Sequence, residues 1–85
     1  MEKVVKCLLL KNNQVIVTEI VEVGSELGEP DCKLINPVIM DQSSRNLSTW
    51  LDFTDQNELM IHSDSIFTIV DPNKEVLIKY LELTA

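Results

Sequence analysis

Two cysteines, Cys7 and Cys32, and one histidine, His62, are the sulfur and nitrogen ligands that the sequence offers. Structural zinc takes four such ligands, usually in close-spaced pairs, so three scattered ones predict no metal site. Cys7 lies in an apolar run and Cys32 at the start of another, which predicts two small buried thiols kept reduced. Nucleophilic catalysis would draw on His62-Ser63-Asp64, which has the residue types of a hydrolytic triad. Neighbours on a strand face opposite ways, however, and a triad must converge within hydrogen-bond reach. The carboxylate pairs Glu26 with Glu29 and Asp52 with Asp55 stand in polar loops with no apolar surroundings to raise a pKa, so they read as solvated acids. The twelve-position calcium loop is absent, as is any glycine run that could cradle phosphate. The expectation is a protein that is no enzyme, carries no cofactor and has no small-molecule substrate.

Charge narrows the partners. Seven Lys and Arg oppose fourteen Asp and Glu, a net charge of −7. Affinity for a phosphate backbone comes from cations that neutralise it, and here they are dispersed, at Lys3, Lys6, Lys11, Lys33, Arg45, Lys74 and Lys79. Any nucleic acid must be held locally, by a few groups repeated around an axis if copies of the chain assemble. With 45% hydrophobic and 25% charged residues, two Gly and three Pro, the 85 residues describe one ordinary globular domain spanning 1–85. No apolar run approaches the ~20 residues that span a bilayer, and Met1-Glu2-Lys3 opens no signal-peptide pattern. A soluble, cytoplasmic protein with no membrane partner is expected.

The elements that must position these residues are mostly short strands. Val4 to Leu10 and Gln14 to Val23 form a hairpin across Lys11-Asn12-Asn13, since Asn tolerates the positive φ of tight turns. Glu19 interrupts the valine face of the second strand, which predicts a bend or bulge near Thr18-Glu19. Gly24 to Asp31 reads as a loop, Cys32 to Met40 as a third strand, and Pro37 within it marks an edge, a bulge or an entry. Asp41 to Thr49 reads as a second loop leading to Trp50-Leu51-Asp52-Phe53. Leu59 to His62 and Ile66 to Val70 are strands around a Ser63-Asp64-Ser65 turn. Val76 to Leu83 fits both a strand and a helical stripe; Asn73 as a cap and Glu75 in the first turn favour a short helix. Trp50, Phe53 and Phe67 stand in apolar company and read as core or interface residues. Five short antiparallel strands hide most of their edges by closing into a small, strongly bent barrel.

Leu59 to Pro72, with Ile61-His62-Ser63-Asp64 followed by Ile66, resembles the second motif of the Sm and Lsm proteins, a strand ending in Ile-Arg-Gly, a polar turn and another strand. Leu10 to Val17 is similar to the opening hairpin of the first Sm motif, and Ile35-Asn36-Pro37-Val38-Ile39 to its Met-Asn-aliphatic ending. Strand order and spacing agree over most of residues 4 to 72. Several positions depart: His62-Ser63 stands for Arg-Gly, Thr18 for the strand-bending Gly, Gly24 for the usual Asp, and about eight residues are inserted before Lys33.

The resemblance implies a five-stranded antiparallel Sm-like barrel, and a homo-oligomeric ring closed by pairing of the last two strands of neighbouring copies. Leu59, Ile61, Ile66, Phe67 and Ile69 would then form the subunit interface. It further implies single-stranded RNA, uridine- or adenine-rich, at pore-side loops. Asn36 would read the base, His62 would stand in for the bracing Arg beside Ser63 and Asp64, and Leu34 would occupy the stacking position without an aromatic ring. A neutral imidazole can bond or stack but brings no fixed positive charge near pH 7. The alternative implied by the acid excess and the missing Arg is a ring that serves as a protein-interaction scaffold, with the Gly24 to Cys32 insertion facing a basic protein partner.

Overall fold

A computed structural model describes residues 4–24, 26–51 and 53–84. Six strands precede one helix: β1 (Val5–Leu10), β2 (Val15–Glu22), β3 (Cys32–Met40), β4 (Leu47–Thr49), β5 (Glu58–Ile61), β6 (Ile66–Val70) and α1 (Lys74–Leu83). The β1–β2 hairpin turns where the asparagines predict. Asn13 adopts φ 71°, and its N–H donates to the Leu10 carbonyl at 2.9 Å while the Leu10 N–H reaches the Gln14 carbonyl at 2.9 Å.

The β2–β3 register shifts between Val17 and Glu19, the bend expected from Glu19. Thr18 is fully buried there, and its hydroxyl lies 2.9 Å from the Glu19 carbonyl and 3.1 Å from that of Ile35. A side-chain donor thus compensates a ladder that the bend interrupts. Across the shift, β3 carries its own irregularity. Asn36 takes φ 53°, and Pro37 follows where β3 passes from pairing with β5 at Ile35 to pairing with β4 at Val38. Proline's missing donor falls in the gap between two ladders, so no pairing is lost.

The irregularity inverts the alternation of β3. Leu34 and Val38, four residues apart, would share a face of a regular strand. Leu34 instead packs with Leu8, Leu10 and Ile16, while Val38 packs with Val5, Cys7 and Val17 on the other face. Both faces of the sheet are therefore buried. Val76 and Tyr80 of α1 cover the Val38 face, and Trp50, Ile61 and Ile66 pack against the Leu34 face. The consecutive burial of Ile16, Val17 and Thr18 follows from this double cover.

The ambiguity of 76–83 ends in a helix. The Asn73 side chain accepts from the Val76 N–H at 2.9 Å, Glu75 stands in the first turn, and Val76 and Tyr80, one turn apart, are the buried pair. Tyr80 does more than fill space: its hydroxyl lies 3.1 Å from the Ile35 carbonyl and 3.0 Å from that of Asn36. The acceptors freed by the β3 irregularity are met by a donor from the helix. No helix among the described residues is long and apolar enough to cross a membrane.

Two expectations are corrected. The stretch before Trp50, which its polar composition marks as loop, contains β4, because Leu47–Thr49 pairs with Val38–Met40. The sheet has six strands and is not closed into a barrel: the order is β4-β3-β2-β1-β6, with β5 also on β3. The three-residue 3₁₀ turn Ser63–Ser65 carries the chain from the β3 edge to the β1 edge, so β5 and β6 do not fold back on each other.

Candidate functional site

β5 and β6 are the two ends of this topology. Among the described residues, β5 pairs only with β3 and β6 only with β1, so each keeps one side without a strand partner. Leu59, Ile61 and Ile66 are half-buried, the last two packed against the Leu34 face. Phe67, Ile69 and Val70 are 71%, 51% and 52% exposed, and Met60 on β5 is exposed too. An edge strand in a monomer is ordinarily blunted by charge, proline or a bulge. β6 reads Ile-Phe-Thr-Ile-Val, with no charge and no proline in it, and its one register shift lies at the Leu10 end. Phe67 and Phe53, the latter 82% exposed, therefore do not belong to the core of the single chain, whereas Trp50 is half-buried against it.

The turn between these strands holds His62, Ser63 and Asp64, all exposed. Ser63 is fastened to the preceding loop: its N–H donates to Asp31 Oδ1 and its hydroxyl to Asp31 Oδ2, both at 2.7 Å. These two bonds hold the Asp31 carboxyl below its usual range, with the His62 ring a smaller contribution. The Ser63 hydroxyl proton is thereby directed to Asp31 on the preceding loop rather than to the His62 ring beside it. Around them, Glu26, Glu29, Asp31 and Asp64 border one hollow of about 410 Å³ together with His62. That concentration of carboxylates is a poor setting for phosphate.

Asn36 stands elsewhere. Its N–H donates to the Asn57 carbonyl at 2.7 Å, which puts it level with the residue just before β5, whereas His62 follows the last residue of β5, opposite Asp31. Five strand positions, about 16 Å, separate the two levels. The structure groups His62, Ser63 and Asp64 with Asp31, and places Asn36 with Trp50 and Asn57 at the other end of the β3–β5 ladder. Asp31 escapes a reading by sequence because its partner is 32 residues away and is fixed only by the β3–β5 register.

The thiols offer little chemistry. Cys7 and Cys32 are free and buried, and burial pushes both pKa values up, aided by Asp71 at Cys7 and by Asp31 and Glu22 at Cys32. Among the described residues no three His, Cys, Asp or Glu side chains are grouped to hold a metal ion. Asp52 of the carboxylate pair read with Asp55 lies outside the described residues, as do Lys3 and Ser25.

A comparison with the curated proteins finds no match. A family model described as "Family of unknown function (DUF6561)" matches residues 3–85, and the chain belongs to that family.

Proposed function

We propose that the chain forms a homo-oligomeric Sm-like ring in which β6 of one copy pairs with β5 of the next, and that the ring is a protein-interaction scaffold. The observation that carries the assembly is the uncharged, apolar, exposed edge of β6 opposite an equally unpaired β5. Pairing the two edges would satisfy their backbone groups and cover Phe67 and Ile69 together. A sheet order of β4-β3-β2-β1-β6 with β5 also on β3, a bend at Thr18 and a 3₁₀ link between the last two strands support the reading of an Sm-like subunit whose open sheet a neighbour would close.

The scaffold reading rests on charge. Each copy adds −7, and the hollow beside the open edges gathers Glu26, Glu29 and Asp31 from the β2–β3 loop with Asp64 from the turn. Repetition around an axis makes an acidic rim that attracts a basic protein segment and repels a phosphate backbone. Single-stranded RNA is the second reading, favoured by one observation: Asn36 lies beside Trp50, an amide and an aromatic ring in one hollow.

Light scattering on the wild type and on Ile69→Lys, each with and without a fluorescent oligouridine at about 0.1 M salt, separates these readings. We expect a defined oligomer, reduced to monomer by Ile69→Lys, that leaves the RNA free. A monomeric wild type contradicts the assembly, and an oligomer that carries RNA with it replaces the scaffold by the RNA reading.

A further inference from the structure

α1 has two apolar sides, and the sheet uses only one of them. Six of its ten residues are apolar. Val76 and Tyr80 are buried against the sheet. Ile78 stands two residues from each of these, and at 3.6 residues per turn that directs it to the opposite side. Ile78 and Leu81 are exposed there, three residues apart on one face. A helix that packs on a core through one stripe ordinarily keeps the other side polar.

The charges on the outer side single out what covers it. Lys74, Ile78 and Glu82 follow one another at intervals of four and climb a single stripe. Among the described residues Lys79 pairs with Glu75 at 3.3 Å, whereas Lys74 and Glu82 have no ion-pair partner. Eight residues, about 12 Å along the axis, keep them from pairing with each other. Both also stand at the unfavourable end of the helix dipole: Lys74 is the first helical residue, at the positive terminus, and Glu82 lies in the last turn, at the negative one. A second α1 laid antiparallel across Ile78 reverses both. Residues equidistant from the two-fold axis then meet, so Lys74 of each copy faces Glu82 of the other and reaches the dipole end that favours it. Ile78 packs on Ile78 at the axis, with Leu81 of each copy on either side.

We propose that the outer side of α1 docks a second copy of this chain, in an antiparallel two-fold contact centred on Ile78 and oriented by two reciprocal Lys74–Glu82 pairs. Exposed pairs add little strength and instead set orientation and partner. A helix about 15 Å long buries less than the roughly 800 Å² per partner of a standard interface. The contact between two copies is therefore weak, with a Kd of about 1 mM, and dilute chains do not pair through it. None of these residues lies on β5 or β6, so the contact stands whether or not those edges pair. It is made by side chains, and is read at the methyl groups of Ile78 and Leu81 rather than at the helix amides.

Methyl NMR spectra of the full-length chain carrying Ile69→Lys, which removes the edge pairing proposed above, are followed as concentration rises to about 2 mM. The Ile78 and Leu81 methyl signals should shift saturably, while those of Leu8 and Ile16 in the core stay fixed. Lys74→Glu and Glu82→Lys should each weaken the association about tenfold, because each makes the facing charges alike. An equimolar mixture of these two variants should restore it, since an acidic stripe then meets a basic one. The same charge series in the wild-type chain reads the contact if Ile69→Lys does not fold. Concentration-independent signals at Ile78 and Leu81 would overturn the proposal and leave the face to a different partner. Association that survives both single substitutions, or a mixture that associates no better than either variant alone, would overturn it equally.

Discussion

The helix-covered face of the sheet and its two free edges are opposite solutions to one problem. At the face, the β3 irregularity exposes Val38 and leaves the carbonyls of Ile35 and Asn36 in need of donors. The chain supplies both cover and donor from α1, by packing Val76 and Tyr80 there and aiming the Tyr80 hydroxyl at the two oxygens. At the edges, β5 and β6 show the same kinds of need, unpaired backbone and exposed Met60, Phe67 and Ile69, and among the described residues nothing in the chain answers them. One region is complete within a single copy, and the other, under the proposed assembly, is half of a contact. Burial of Tyr80, fully enclosed, against exposure of Phe67 at 71% expresses the contrast in two aromatic residues.

The largest test of the contrast is on the covered side. Tyr80→Ala removes an enclosed ring and should cost about 3–5 kcal/mol in chemical denaturation, enough to unfold much of a small domain. Tyr80→Phe keeps the ring and removes the donor, for about 1–3 kcal/mol. A loss near zero for Tyr80→Phe would mean that the Asn36 carbonyl, which Thr18 does not reach, is satisfied without the helix.

Alkali probes the same group. Burial, with a contribution from the Glu19 carboxylate, pushes the Tyr80 pKa up from 10.0 to about 12. The folded state thus holds the phenolic proton more tightly than the unfolded chain does. The corresponding stability is fully present below pH about 10 and is lost as pH rises through about 12. Denaturation midpoints should fall across that window in the wild type and fall less in Tyr80→Phe.

Effects at the turn should be smaller and of opposite sign in pH. Asp31 is held below its usual range by its bonds to Ser63, so its contribution is present above about pH 4 and lost as pH falls through the lower folded value. The protection of the Ser63 amide from hydrogen exchange, taken relative to its intrinsic rate at each pH, should fall in acid and in Asp31→Ala, with global stability little changed. The smallest effect on the single chain belongs to Ile69→Lys: a substitution at an exposed position should move subunit stability by no more than about 0.5 kcal/mol while abolishing assembly. A large loss of subunit stability would show that β6 is needed for the fold rather than for the contact.

How much of this was legible depended on the sequence distance of the causes. The hairpin at Asn12-Asn13, the bend at Glu19 and the Asn73 cap each follow from residues within a few positions, and all three are present. β4 was hidden because Leu47-Ser48-Thr49 has no strand pattern of its own and exists through β3. The double burial of the sheet was hidden because the sequence read alone placed no helix over the Val17 side. The family resemblance groups Asn36 with His62 because both belong to matched motifs. The β3–β5 register puts them at opposite ends, with Asp31 beside Ser63 and Asn57 beside Asn36. Register between strands some 25 residues apart is a tertiary property, and no local spacing encodes it.

In the proposed assembly β5 and β6 are completed by another copy of the chain. Hydrogen exchange followed at several protein concentrations tests it at the residues concerned. The amides of Ile66–Val70 and Glu58–Ile61 should become more protected as concentration rises, while those of β1, β2 and α1 stay constant. Exchange in β5 and β6 that is independent of concentration, with a monomeric mass throughout, would contradict it.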